Sequence, residues 1–203
     1  IELPPIVRFE RQGGGQEAIQ KAARMLSDAK FPVILSGAGV VIGDAINECK
    51  ALAEILDAPV CNGYQHNDSF PGSHPLAVGP LGYNGSKAAM ELISKADVVL
   101  ALGTRLNPFS TLPGYGIDYW PKNATIIQVD MNPDRIGLTK KVTVGICGDA
   151  KQVAQQILDK LSSDAGNLGR DERKNLIHKT KSAWLQKLAG LDHEEDDPGT
   201  VWN

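Results

Sequence analysis

The stretch Ala96-Asp-Val-Val-Leu-Ala-Leu-Gly-Thr-Arg105 decides how this chain is read. From Val98 to Gly103 the residues are dominated by apolar types and do not alternate with polar ones. That pattern suits a strand buried on both faces of a parallel sheet. The run stops at Gly103-Thr104-Arg105, a small flexible turn with one cation. In an open α/β sheet, ligands bind just beyond the carboxyl ends of strands, so these three residues are candidates to meet an anion. The same turn also reads as a plain strand-to-loop turn with Arg105 on the surface.

Outward from this stretch the chain alternates strands and helices. On the amino-terminal side, Gln16–Lys30 has helical spacing through Ala18, Ala22, Met25, Leu26 and Ala29. Phe31-Pro32 ends that helix, because proline disfavours helix at the residue before it. Val33–Ser36 is a short buried strand, followed by the glycine turn Gly37-Ala-Gly-Val-Val-Ile-Gly43. A helix is expected from about Asp44 to Leu56, a second strand at Ala58–Asn62, and a helix from Ser86 to Lys95. On the carboxyl side, Thr125–Asp130 and Val142–Cys147 read as strands, and Gly148-Asp149 opens a helix to about Leu161. Asp149 with Gln152 three residues on makes a capping start. Gly63–Gly85 and Leu106–Lys122 are long Pro/Gly/aromatic loops with little periodicity, which marks them as functional or interface loops. The whole predicts an α/β fold, a doubly wound parallel sheet of five or six strands.

Composition sets limits on function. The 203 residues carry a formal net charge of -3 and contain no basic run, which argues against a nucleic-acid surface. No apolar run approaches a membrane span and no signal peptide is visible, so no membrane partner and a cytoplasmic site are expected. Cys49, Cys61 and Cys147 lack disulfide or zinc spacing and read as reduced thiols. Residues 1–14 read as a linker, 15–162 as the sheet domain, and 163–203 as a linker plus a helix. A chain that opens at Ile1 and stops at Asn203 in a polar stretch reads as a piece of something larger.

The strand ends carry the chemistry. Gly37-Ala38-Gly39 follows a strand and precedes a helix, where glycines let backbone approach a pyrophosphate and free N–H groups favour anions. Its spacing is one residue off the dinucleotide fingerprint, and a plain βα turn fits equally. Asp130 ends a strand, where a carboxylate can accept ribose hydroxyls or simply cap a turn. Gly148-Asp149-Ala150 starts a helix at the same edge. Together these ends define a nucleotide-binding constellation: a diphosphate on the first turn, Arg105 neutralising it, Asp130 on the ribose, and Gly148–Ala150 beside the base. His66 and His74 lie in the first long loop and read as hydrogen-bonding groups, with a metal or proton-carrying role as the less favoured alternative. The acidic run Asp192-His-Glu-Glu-Asp-Asp-Pro reads as solvated chain. There is no nucleophile elbow, no Cys/His pair at a helix start and no P-loop, so nothing here performs covalent chemistry.

These segments, in this order, resemble the middle domain of thiamine-diphosphate-dependent enzymes. The resemblance rests on Pro32–Val40, Ala96–Arg105, Ile126–Pro133 and Gly148–Ala150, and covers roughly Gly15 to Leu161. Gly63–Asp68, Gly79–Ser86 and Leu106–Gly116 are most similar to an acyl-transferring branch of that group. Acetolactate synthase-like and oxalyl-CoA decarboxylase-like members are alternatives, as is a non-catalytic nucleotide-binding module. The resemblance implies a Rossmann-like domain within a homo-oligomeric parent that also has a pyrimidine-binding domain and a diphosphate-binding domain. It implies thiamine diphosphate and magnesium in that parent, held by those other domains and not by this piece. Gly148-Asp149-Ala150 with Asn175 mimics the family's magnesium motif. The third glycine is replaced by alanine, and a helix and linker fill the interval, so the match is rejected. Relatives hold FAD or ADP at positions matching Gly37, Ala38, Gly39, Gly103, Thr104, Arg105, Asp130, Gly148, Asp149 and Ala150. FAD-binding members follow the Gly-x-Arg turn with Phe and acidic residues. Here Leu106-Asn-Pro-Phe-Ser follows, which disfavours FAD and leaves an ADP-like nucleotide or an empty scaffold.

Overall fold

Burial sorts the strands before their order is known. Val98–Leu102 and Pro32–Ser36 are buried at every position, as strands covered on both faces must be. Val144–Cys147 alternates buried and exposed, the pattern of an edge. The computed structural model describes residues 12–191. Its six strands are β1 (Pro32–Ser36), β2 (Val60–Asn62), β3 (Ala77–Pro80), β4 (Val98–Leu102), β5 (Thr125–Asp130) and β6 (Val144–Cys147). All pair in parallel, in the order β3-β2-β1-β4-β5-β6. The chain starts in the middle of the sheet, builds to one edge, then returns to the middle and builds the other. Ligands of such doubly wound sheets sit where the order reverses, which here is between β1 and β4.

The central pairing is locked at its amino end by one side chain. Asp97 accepts the amides of Lys30 and Phe31, at 2.7 and 2.9 Å. That fixes the register Pro32↔Val98 through Ser36↔Leu102, so the turns after β1 and β4 emerge side by side.

Helices α1 (Gln16–Ser27), α2 (Ala38–Ile42), α3 (Ile46–Leu56), α4 (Lys87–Ile93), α5 (Ala150–Leu158) and α6 (Arg170–Leu191) cover the sheet. α1 and α3 pack against α5 in one layer, while α4 and α6 pack together in the other. Each contributes an apolar stripe, as in Ile19, Ala22, Ala23 and Leu26 of α1 and Val153, Ala154 and Ile157 of α5. Ser86 and Asp149 cap α4 and α5 with their side chains. Cys49 and Cys61 lie fully inside this core, and burial pushes the Cys49 thiol up to about 12, so it stays neutral and unreactive.

The sheet has six strands, and two local expectations change. The glycine turn after β1 contains the five-residue helix α2, and α3 begins at Ile46 because Asp44 takes a left-handed φ of 55°. The loop Gly63–Gly85 holds a short 3-10 turn at Asn67–Ser69 and the edge strand β3. β3 ends in Pro80, a residue tolerated at a sheet edge because it has no ladder N–H to donate.

The stretch after α5 also packs onto the sheet domain. Ala165 is buried, and Arg173 of α6 is only 1% exposed. Its guanidinium donates to five backbone carbonyls: Asp57, Lys30, Leu168, Leu56 and Gly166. These carbonyls come from the end of α3, the turn before β1 and the segment before α6. Residues 1–11 of the linker expected over 1–14, and the acidic run from Asp192, lie outside the described residues. Among the described residues no helix is long and apolar enough to cross a membrane.

Candidate ligand site at the carboxyl edge of the sheet

The turns that follow β1 and β4 are in backbone contact. Gly37 donates its amide to the Leu102 carbonyl at 3.1 Å, and Gly39 donates to the Gly103 carbonyl at 2.8 Å. A Cβ on Gly39 would stand 2.7 Å from the Gly103 Cα, and one on Gly103 would stand 2.7 Å from the Val40 nitrogen. Gly103 itself sits at φ +60°. The glycines are therefore required by the close passage of two chain segments. The expectation of free amides at this turn is corrected for Gly37, Gly39 and Val40, whose N–H groups are all used within the fold.

A cavity of about 650 Å³ opens over these turns. All ten residues singled out from the sequence line it: Gly37, Ala38, Gly39, Gly103, Thr104, Arg105, Asp130, Gly148, Asp149 and Ala150. The parallel register is what brings them together, since each follows a strand at the same edge. Tyr64, Gln65, His66, Asn107, Ser110, Ile42 and Met131, with Gly43 and Gly63, complete the wall.

The individual roles divide. Among the described residues, Arg105 is exposed, forms no ion pair or hydrogen bond, and is the one permanent cation lining the cavity. Thr104 is buried, and its hydroxyl accepts the Leu106 amide at 3.3 Å. Asp130 accepts the Asn132 amide at 2.8 Å through one carboxylate oxygen, so it both closes a turn and faces the cavity. Asp149 is buried and caps α5 through the amides of Lys151 and Gln152. Gly148 packs against the Gln12 carbonyl and the Gly14 nitrogen, with no room for a side chain. Of the two loop histidines, only His66 reaches this cavity. His74 lies elsewhere, with Nε2 at 3.2 Å from Glu54 and Nδ1 accepting the Leu76 amide, which makes Nε2 the protonated nitrogen.

The wall next to Tyr64 is held by a buried polar knot. Ser36 donates to the Ser69 carbonyl, and Asn62 donates to the Ser69 hydroxyl at 3.0 Å and the His66 carbonyl at 3.3 Å. The Ser110 hydroxyl accepts the Tyr64 amide, and Tyr64 stacks on Phe109 with centroids 6.2 Å apart. The two long loops thus brace each other at the cavity mouth.

Gln128 is a residue that sequence reading passed over. It is 1% exposed in the middle of β5. Its amide nitrogen donates to the Thr104 and Arg135 carbonyls, at 3.2 and 3.1 Å, and its oxygen accepts the Gly137 amide at 2.9 Å. The signal was available: one amide inside the otherwise apolar centre of Thr-Ile-Ile-Gln-Val-Asp.

The donor set does not suit a metal. No group of three or more His, Cys, Asp or Glu capable of holding one occurs among the described residues. What the described residues offer at the cavity is one exposed cation, a half-engaged carboxylate and an apolar lip at Ile42 and Met131, which are 81% and 50% exposed.

Comparison with known proteins assigns the class. The pattern of the thiamine pyrophosphate enzyme central domain matches residues 19–157, and the chain belongs to that family. It is similar, at 78% identity over all 203 residues, to the probable sulfoacetaldehyde acetyltransferase of Rhizobium meliloti (strain 1021), of which it covers 34%. The sulfoacetaldehyde acetyltransferase of Roseovarius nubinhibens is 73% identical over the same 203 residues, again 34% of that protein. A probable acetolactate synthase large subunit of Methanocaldococcus jannaschii is 36% identical over 173 residues, 85% of this chain and 27% of that protein. The chain thus spans about a third of the length of these relatives.

Proposed function

We propose that this chain is the central domain of a sulfoacetaldehyde acetyltransferase. The parent would convert sulfoacetaldehyde and phosphate to acetyl phosphate and sulfite. The observation that carries this reading is the contrast in identity, 78% over the full chain to a protein of that name against 36% over 85% to an acetolactate synthase. In such a parent, thiamine diphosphate with its magnesium supplies the carbanion chemistry. The donor set at the carboxyl edge does not fit that group, whose site is assigned to the remaining domains of the parent. Other domains of the same polypeptide are this domain's partners, in a homo-oligomeric parent.

Within the parent, the carboxyl-edge cavity is proposed as a site for an ADP-like nucleotide. Three features support it: a place at the point where strand order reverses, Arg105 as a cation for a diphosphate, unpaired among the described residues, and Asp130 with a carboxylate oxygen for a ribose hydroxyl. Gly37 and Gly39 contribute by letting the turns lie close, and not by donating N–H groups to phosphate. FAD is disfavoured by the Leu106-Asn-Pro-Phe-Ser sequence after Arg105.

The test of the parent activity uses the full-length protein with thiamine diphosphate and magnesium. Supplied with sulfoacetaldehyde and phosphate, it is expected to release sulfite and acetyl phosphate in equal amounts. Acetolactate formed from pyruvate, with no sulfite from sulfoacetaldehyde, would overturn the assignment in favour of the synthase branch.

A further inference from the structure

The arginine proposed to meet the nucleotide sits in a backbone that does not hold its own shape. Leu106, the next residue, is fully buried at φ +52°, in the left-handed region that non-glycine residues avoid. Such a conformation persists only when surrounding groups determine it. The peptide carbonyls of both neighbours of Arg105 are held by side chains from one region of the fold. Gln128 donates to the Thr104 carbonyl at 3.2 Å, and Thr139 donates its hydroxyl to the Leu106 carbonyl at 2.7 Å.

Gln128 also governs the second of these contacts. Its remaining bonds, to the Arg135 carbonyl and the Gly137 amide, fix the turn that leads to Thr139. One buried amide therefore ties the turn carrying Arg105 to the segment that clamps its other side. A side chain that only filled space between apolar neighbours would be Leu or Ile, as at Ile126, Ile127 and Val129 of the same strand. An amide in such a place costs stability unless its groups are paired, and here both the nitrogen and the oxygen are paired across two turns.

From this geometry we infer that Gln128 is a positioning residue, which aims Arg105 into the cavity by holding the Thr104–Leu106 backbone from behind. The inference rests on the reading of Arg105 as the anion contact, and it adds the residue that sets the geometry of that contact. Gln128 does not line the cavity.

The test uses the full-length protein and four forms: unaltered, Arg105→Ala, Gln128→Met and the double variant. Methionine keeps the volume of Gln128 and removes its hydrogen bonds. Hydrogen exchange read by mass spectrometry should show faster exchange of amides 103–107 in Gln128→Met, with β1 unchanged. Calorimetry with ADP should show at least a tenfold loss of affinity in Arg105→Ala and a three- to tenfold loss in Gln128→Met. The double variant should bind no more weakly than Arg105→Ala alone, because two residues acting through one contact are not additive. Equal losses from Gln128→Met with and without Arg105 would overturn the inference, as would unchanged exchange at 103–107. ADP affinity unchanged in Gln128→Met but lowered in Arg105→Ala would overturn it too, while the nucleotide reading survived. Affinity unchanged in Arg105→Ala, or no ADP binding at all, would overturn the nucleotide reading itself and the positioning role with it.

Discussion

Two arginines at opposite ends of the sheet show how one residue type serves two purposes. At the amino end, Arg173 is buried and its N–H groups meet five carbonyls, three of them beside α3 and β1. At the carboxyl end, Arg105 stands in a cavity with no partner among the described residues. Arg173 joins α6 to the sheet domain, and burial together with the nearby charge of Arg170 lowers its pKa while Asp57 and Asp97 oppose that fall. Arg105, without a partner among the described residues, is placed to meet an anion from outside. Arg173 commits its guanidinium to the fold, and Arg105 commits none of its own among the described residues.

The largest effect expected from this comparison is on Arg173. Arg173→Met would leave the Asp57, Lys30, Leu168 and Leu56 carbonyls without their side-chain donor, while Gly166 keeps only Arg170 Nε at 3.3 Å, and a loss of more than about 3 kcal/mol of stability is expected. Denaturant unfolding of the full-length protein measures it. A loss below about 1 kcal/mol would mean that α6 is not held by this residue. Arg173→Lys should recover only part of the loss, because an ammonium has three donors and no planar fork.

A somewhat smaller effect belongs to the contact beneath the cavity. Gly103→Ala places a Cβ 2.7 Å from the Val40 nitrogen at a φ of +60°. A cost of about 2 kcal/mol is expected, from left-handed strain plus displacement of the α2 turn. Gly116→Ala is the control, since φ is +70° there too but nothing lies within 4 Å. If both variants lose the same amount, the close passage of the two turns contributes nothing.

The two edges also differed in how much the sequence disclosed. The carboxyl edge was legible because parallel strands put all their ends on one side. Gly37–Gly39, Gly103–Arg105, Asp130 and Gly148–Ala150 could be grouped from strand assignment alone, and they line one cavity. What those glycines do was not legible. A Gly-x-Gly turn after a strand looks the same whether it makes room for phosphate or for another backbone, and here the neighbour is Gly103. β3 was hidden because the four-residue edge strand Ala-Val-Gly-Pro ends in turn residues in place of a periodic pattern. The amino edge was opaque for a different reason. Arg173 lies in the polar run Arg170-Asp-Glu-Arg-Lys-Asn175, which reads as a solvated helix start. Only the meeting of segments more than 100 positions apart shows that it is inside. Gln128 stood between the two cases, visible as a polar residue in an apolar strand, with partners that no local pattern names.

The smallest expected effect on stability is also the most telling. Arg105 makes no side-chain bond among the described residues, so Arg105→Ala should leave the melting temperature of the unliganded full-length protein within about 1 °C of the unaltered form, as a surface substitution does. The decisive measurement is a thermal melt of both forms with and without ADP. A diphosphate contact at Arg105 requires matching melts without nucleotide, a rise with ADP for the unaltered protein, and little or no rise for Arg105→Ala. A melting temperature that falls in Arg105→Ala without any nucleotide, or an equal rise with ADP in both forms, would contradict it.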